Sequence, residues 1–300
     1  MYARDDELEL QNKLSAERNS AFKIERAPLE KRNYAKLPVF SILDEVYAIV
    51  HDNFSPALKL MVPWVGVFWL LVCGVGLAVF GDLLGLLRFA QALKTGEGML
   101  ELLVFGGLLA GGVGFVFSNI AIRWHRLLLL DEKHNTSHPF RLEPQSFKYF
   151  LLAAVLWIAS MVLNLFAESM TPVIRGNMLL STAVLVGVLS ATVLLTRLAI
   201  KLPAIAVDHD SLSMSDVMTR TKGNFWRLLG LIVVFGITIS VIMWLAKLVA
   251  VAIGVIHTLG LALAVFICAL AAAICWLLSV TILTVLYRYF FGMPAKPSNS

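Results

Sequence analysis

Residues 211–230 read SLSMSDVMTRTKGNFWRLLG and stand directly before a long apolar run. Ser213 and Asp216 have the spacing of a capping box, in which each side chain pairs with a free amide at the start of a helix. An apolar face follows at helical spacing, and its members are Met214, Val217, Met218, Thr221 and Phe225. The stretch therefore predicts an amphipathic helix that leads through Asn224-Phe225 directly into an apolar run.

The same pattern occurs near the N-terminus. Ser41 and Asp44 again have capping-box spacing. The apolar positions that repeat the stripe are Leu43, Val46, Tyr47, Val50 and Phe54. Asn53-Phe54 corresponds to Asn224-Phe225. We therefore expect two amphipathic helices, at 41–54 and 211–225, each with its apolar stripe inward at the start of a membrane span.

The composition is that of an integral membrane protein. Hydrophobic residues make up 59% of the 300 residues, charged residues make up 15%, and the mean hydropathy is +0.80. The net charge of +5 suits anionic lipid headgroups. The basic residues are dispersed rather than gathered on one element, so nucleic acid is not an expected partner. The acidic N-terminus lacks the apolar segment of a cleavable signal, so we expect the first span to act as the targeting signal.

Long apolar runs define three parts of the chain. We expect a charged extension at 1–38, a membrane domain at 39–291 and a disordered tail at 292–300. The membrane domain is predicted to hold six spans, at about 59–81, 99–122, 148–166, 178–199, 228–252 and 259–287.

Lys and Arg are unevenly distributed among the connections. The N-terminal segment and the 123–148 and 197–227 loops are rich in these residues, whereas the alternate connections are short and poor in them. By the positive-inside rule, both termini and both amphipathic helices are cytoplasmic. The predicted fold is therefore an all-α, six-span transmembrane bundle of three hairpins with amphipathic cytoplasmic helices.

Several short motifs resemble a group of bacterial membrane proteins. The motifs are the capped amphipathic helix with its Asn-Phe junction, Arg-Trp-His-Arg-Leu-Leu-Leu-Leu-Asp-Glu at 123–132, and Leu-Pro-Ala-Ile-Ala-Val-Asp at 202–208. The group includes the YciC-like proteins and the membrane domain attached to some bacterial glycerophosphodiester phosphodiesterases. The resemblance covers roughly 38–290 and implies a six-span protein of the bacterial inner membrane. It supplies no catalytic residues, because catalysis in the enzyme-linked members belongs to a separate soluble domain.

Basic and aromatic residues at two predicted span ends are candidate contacts for lipid headgroups. These residues are Arg123, Trp124, Arg126, Arg197 and Lys201. A guanidinium group binds phosphate, and an indole favours the membrane interface. The alternative is ordinary anchoring of the span ends. Phospholipids are expected partners under both interpretations.

A row of small residues in span two predicts close helix packing. Gly107 and Gly111 form a G-x-x-x-G motif, and Gly114 continues the row. Another helix backbone is therefore expected to approach this face.

Two histidines in the 123–148 loop have the spacing of metal ligands on a helix. His134 and His138 are four residues apart, which would place both imidazoles on one helical face. The intervening Asn-Thr-Ser and the following Pro139 favour a loop, in which this spacing has little meaning. We therefore expect no metal and no cofactor.

The ionisable residues lie near the predicted span ends rather than at the midplane, where they would mark an ion pathway. The chain also lacks a Ser-His-Asp order and a phosphate-binding loop. We therefore expect a non-enzymatic protein, namely a scaffold, lipid-organising or accessory subunit that packs against other membrane proteins or a second copy. The alternative is a carrier or channel for a small or lipidic solute through the hairpin interface.

Overall fold

The computed structural model describes residues 36–80, 99–132, 145–174, 176–209, 211–254 and 258–292, and all regular elements in these ranges are α-helices. The helices are α1 (Val39–Asp52), α2 (Phe54–Phe80), α3 (Met99–Leu130), α4 (Ser146–Ile174), α5 (Met178–Ala199), α6 (Lys201–Ala206), α7 (Met214–Arg220), α8 (Phe225–Gly254) and α9 (Thr258–Phe291).

Five stretches of the described chain are long and apolar enough to cross a membrane. They are Gly106–Leu130, Ser146–Val173, Met178–Ala206, Phe225–Ile253 and Ile267–Phe291. The first predicted span, 59–81, falls almost entirely within the 27-residue helix α2. Many side chains of α2 lie outside the described part, and α2 is not among the five. The described part of the chain is thus all-helical, with five candidate membrane spans.

Helix α3 extends beyond the predicted end of span two. It continues to Leu130, so residues 123–126 lie within the helix rather than in a loop after it. Helix α4 likewise continues to Ile174, past the expected end at 166. The predicted ends were placed at the first charged or polar residues. A charged side chain does not end a helix when the surrounding helices provide it with partners.

The main hydrophobic core lies at one end of the molecule, which we call the core end. Here the short helices α1, α6 and α7 pack against the ends of the long ones. Elsewhere the long helices pack loosely and expose much of their surface. No residue is buried in the most apolar window of α4, and 6% of the residues are buried in that of α5. Such wide apolar surfaces suit a lipid environment, in which apolar side chains face the solvent.

Helix α1 packs mainly against α8 and α9. Its buried residues are Ile42, Leu43, Val46 and Val50. The predicted inward stripe is therefore confirmed at Leu43, Val46 and Val50, whereas Tyr47 is half-buried and Ile42 was not among the predicted positions. Phe54, the last position of the predicted stripe, is instead the first residue of α2 and is exposed.

The predicted capping box at Ser41 is wrong. The N-cap of α1 is Pro38, which has an extended backbone and makes no side-chain cap. The Pro38 carbonyl accepts a hydrogen bond from the Ile42 amide at 3.0 Å. Since the helix begins at Val39, Ser41 and Asp44 lie inside its first turns, where their side chains cannot cap the helix start.

The capping box of α7 is confirmed. The Ser213 hydroxyl accepts from the Asp216 amide at 3.1 Å, and the Asp216 carboxylate accepts from the Ser213 amide at 3.0 Å. The helix ends earlier than predicted, with Thr221 as its C-cap. Gly223 then turns the chain with φ +82°, a conformation that favours glycine.

Both Asn-Phe junctions start a long helix, as predicted. The Asn53 carbonyl accepts from the Ala57 amide at 2.9 Å, which opens α2. The Asn224 carbonyl accepts from the Leu228 amide at 2.8 Å, which opens α8. The two stretches therefore use the same local structure to enter a long apolar helix.

Gly114 is the member of the predicted glycine row with a close neighbour among the described residues. A Cβ added at Gly114 would lie 3.2 Å from a ring carbon of Phe150 on α4. At Gly107 and Gly111 an added Cβ would meet no described heavy atom within 4 Å. The close approach expected at these two glycines is therefore absent from the described part of the chain.

Candidate functional site

A buried polar network centred on His125 lies at the core end. His125 Nδ1 is 2.7 Å from the Thr284 hydroxyl, and Nε2 is 3.0 Å from the Tyr149 hydroxyl. All three side chains are buried. One nitrogen of a neutral histidine donates and the other accepts, so two hydroxyls can satisfy both. The network joins α3 to α9 and α4.

Two further hydrogen bonds extend from the same part of α3. Trp124 Nε1 donates to the Thr281 hydroxyl of α9 at 2.9 Å. The Ser146 hydroxyl, at the start of α4, donates to Asn119 Oδ1 at 2.7 Å. The polar residues of the α3 end thus hold three helices together.

Arg126 joins α3 to the segment that follows α6. Its guanidinium donates to both oxygens of Glu132 at 2.9 Å and to the Ala206 carbonyl at 3.3 Å. The Asp208 carboxylate lies 3.5 Å away and also accepts from the Gln145 side chain. Because the Arg126 guanidinium makes this bidentate pairing, its donors are directed to groups of the protein itself.

Arg197 joins α5 to α7 in a comparable way. Its Nε donates to the Thr221 hydroxyl at 2.7 Å, and its terminal nitrogen donates to the Met218 carbonyl at 2.5 Å. A cation at the C-terminal end of a helix satisfies carbonyls that have no partner within that helix. Arg197 therefore fixes the end of the capped helix α7.

The expected surface position of Arg123 and Trp124 is wrong. Their exposed fractions are 2% and 0%, and Arg123 lies over the Trp64 ring at 5.8 Å from its centroid. Both side chains point into the core because α3 continues past the predicted span end and packs against α2, α4 and α9. Among the five headgroup candidates, half-buried Lys201 is the one that makes no hydrogen bond or ion pair with any described residue.

The indole exposed at the core end is Trp226, which was not among the headgroup candidates. It is 78% exposed in the first turn of α8, whereas its neighbour Leu228 is fully buried. No short-range pattern indicates this exposure, since adjacent helical residues such as Ile42 and Leu43 can both be buried. An exposed tryptophan at the start of an apolar helix is typical of a membrane interface.

A set of contacts that we call the α1 clasp holds α1 in place, and it consists of Leu37, Glu45, Asn224 and Arg288. The Leu37 amide donates to the Asn224 side-chain oxygen at 3.1 Å, and the pair is buried. Glu45 forms an ion pair with Arg288 of α9. No short-range motif indicates these contacts, because each joins residues far apart in the chain.

The two histidines with metal-ligand spacing, His134 and His138, lie outside the described residues. Another histidine, His209, follows α6, bonds to the Tyr287 hydroxyl at 2.6 Å and is buried. Within the described ranges, no three His, Cys, Asp or Glu side chains are placed to hold a metal ion.

A groove of about 340 Å³ lies between α4 and α5, and two of its lining residues, Leu156 and Ala199, also pack against the core. Its polar lining consists of Ser160, Asn164, Thr192 and Thr196, and leucine and alanine side chains complete it. The two threonine hydroxyls donate to carbonyls of their own helix at 2.8 and 2.9 Å. Asn164 and Ser160 make no hydrogen bond with a described residue.

No protein-family model, no curated protein and no solved structure matches this chain.

Proposed function

We propose that this chain is a non-enzymatic scaffold, lipid-organising or accessory subunit of the bacterial inner membrane. The observation that supports this role is the mutual pairing of the polar groups in the core. His125 bonds to Tyr149 and Thr284, and Trp124 bonds to Thr281. An enzyme or a carrier needs polar groups that face a cavity open to its substrate. The paired groups here join helices to one another.

We further propose that the described helices form a six-span bundle of three hairpins, with α2 as the first span. The packing of α2 on α3, α4 on α5 and α8 on α9 supports this arrangement. The excess of Lys and Arg around the core end supports a cytoplasmic location for it and for both termini. The wide apolar surfaces of α4 and α5 then face phospholipids or other membrane subunits.

Labelling of single cysteines tests the proposed topology. In a variant without native cysteines, Ser300→Cys should be protected from a membrane-impermeant thiol reagent in intact cells. Met178→Cys, at the highly exposed start of α5, should be labelled in the same cells. Labelling of Ser300→Cys, or protection of Met178→Cys, would contradict the six-span orientation.

Native mass spectrometry from a mild detergent tests the proposed role. We expect phospholipid, a second copy or another membrane subunit to remain bound to the intact protein. A transport and lipid-scrambling assay in proteoliposomes serves as the counter-test, with protein-free vesicles as the reference. Saturable flux of a solute or lipid would favour the carrier alternative over the scaffold role.

A further inference from the structure

The α4–α5 groove combines an apolar location with two polar side chains that have no described partner. Ser160 and Asn164 are one helical turn apart near the middle of the 28-residue candidate span Ser146–Val173. This span is the least buried of the five candidate spans, since no residue in its most apolar window is buried. The groove therefore faces the lipid or a neighbouring protein near the middle of the span.

The side-chain amide of Asn164 requires a hydrogen-bonding partner at this depth. Polar side chains within a helix can donate to a carbonyl of their own helix, as Thr192, Thr196 and Asn119 do. The exposed Asn164 amide forms no such bond within the described chain. Exposure of an unpaired amide to hydrocarbon is unfavourable, and lipid acyl chains offer neither donor nor acceptor.

We propose that a second copy of this chain docks on the α4–α5 groove, with the Asn164 amides of the two copies hydrogen-bonded to each other. A carboxamide carries both a donor and an acceptor, so it is complementary to itself. A two-fold axis along the membrane normal places identical residues of two copies at the same depth. A different partner would need a polar residue at this depth, whereas a second copy always has one.

The remaining groove residues suit such an interface. Leu156, Leu163 and Leu195 line the groove beside the polar positions and supply apolar contact. In membranes, helices associate through close packing supplemented by hydrogen bonds between polar side chains. The inference rests on the membrane placement of α4 and α5, which the Met178→Cys labelling tests separately, and not on the scaffold role.

The decisive measurement is the oligomeric state in proteoliposomes, determined by single-molecule photobleaching over a series of protein-to-lipid ratios. The wild-type chain should form dimers, and Asn164→Leu should raise the dimer dissociation constant about 3- to 30-fold. Asn164→Gln, which keeps the amide, should stay close to the wild type. Ser240→Leu is the matched control, because it removes an exposed polar side chain from the middle of α8 instead.

Cysteine cross-linking provides an independent check that leaves Asn164 intact. In the cysteine-free variant, Ser160→Cys should form a disulfide-linked dimer under mild oxidation, whereas Val162→Cys on another face of α4 should not. Adding Asn164→Leu to Ser160→Cys should reduce this cross-link.

A wild-type chain that is monomeric at all protein-to-lipid ratios, or an Asn164→Leu variant that dimerises like the wild type, would overturn the proposal. Loss of a bound phospholipid rather than of a dimer in Asn164→Leu would also overturn it.

Discussion

The backbone amide of Leu37 donates a buried hydrogen bond to the side chain of Asn224, which lies 187 residues later in the chain. This contact joins Leu37, two residues before α1, to Asn224, the residue just before α8. The Arg227 guanidinium also reaches the Leu37 carbonyl, at 3.5 Å. The start of the first amphipathic helix is therefore held by the junction that follows the second one.

Asn224→Ala should release α1 from its site. The substitution leaves the buried Leu37 amide without an acceptor, which costs about 1–3 kcal/mol. We expect faster hydrogen exchange over 39–52, measured by mass spectrometry on the protein in detergent. Asn53→Ala is the control, since that side chain bonds only to the Ile49 carbonyl at the opposite end of α1 and makes no contact with Leu37. Equal exchange in both variants would contradict the role of Asn224 in the clasp.

Charged substitutions on the two buried stripes should destabilise the protein. Val46 and Val217 are fully buried, so an aspartate at either position loses its hydration. We expect each variant to lose about 2–4 kcal/mol of unfolding free energy, measured by denaturant titration in detergent. Ala48→Asp and Thr219→Asp, at exposed positions of the same helices, should have small effects. Similar losses in all four variants would contradict the inward stripes.

Reversing both charges of the Glu45–Arg288 ion pair should destabilise the protein less than reversing either charge alone. Either single reversal places like charges together and should lower the unfolding free energy by about 0.2–1 kcal/mol, because both side chains are partly exposed. The double reversal, Glu45→Arg with Arg288→Glu, should recover most of the loss in thermal unfolding. Asp44→Arg should change little, since Asp44 is exposed and has no described ion-pair partner. Additive losses in the double variant would rule out the pair.

Replacing Trp124 and replacing Trp226 by alanine should have contrasting effects on stability and on fluorescence quenching by lipid. Trp124→Ala deletes a fully buried ring and should cost about 3–5 kcal/mol of stability. Trp226→Ala should leave stability almost unchanged, because that ring is exposed. Fluorescence quenching by brominated phospholipids should fall in Trp226→Ala and persist in Trp124→Ala. The reverse pattern of quenching would place Trp124 at the lipid surface.

Tyr149→Phe should weaken the junction of α3 and α4. The change removes the hydroxyl that pairs with His125 Nε2, and an unpaired buried nitrogen costs about 1–3 kcal/mol. The matched control is Tyr289→Phe, because the hydroxyl of half-buried Tyr289 has no described hydrogen-bond partner. Thermal unfolding of both variants in the same detergent separates the two cases, and equal midpoints would contradict the network.

Local features of the fold could be predicted wherever the deciding atoms are close in sequence. The capping box of α7 forms because Ser213 and Asp216 are three residues apart, and both Asn-Phe junctions open a helix within one turn. The box at Ser41 was wrong because Pro38 provided an earlier start, which moved Ser41 inside the helix. When two possible helix starts are adjacent, the packing of the preceding residues determines which of them begins the helix.

The candidate site was less predictable, because its residues are suited to more than one environment. Arginine and tryptophan are suited both to the membrane interface and to a core that supplies partners. Burial of Arg123 and Trp124, and exposure of Trp226, follow from the packing of α3 and α8. In a membrane both the protein interior and the lipid are apolar, so hydropathy does not indicate which face of a helix points inward.

Sequence alone was enough to predict the all-helical class, the apolar helices long enough to span, the buried stripe positions Val46 and Val217 and the two helix-opening junctions. Each of these depends on periodicity or on hydrogen bonds within one or two turns. The tertiary structure was needed to place α1 against α8 and α9, to bond Arg126 to the Ala206 carbonyl and to bond Arg197 to Thr221. Such contacts join distant segments, and their partners are selected by the packing of whole helices rather than by any local pattern.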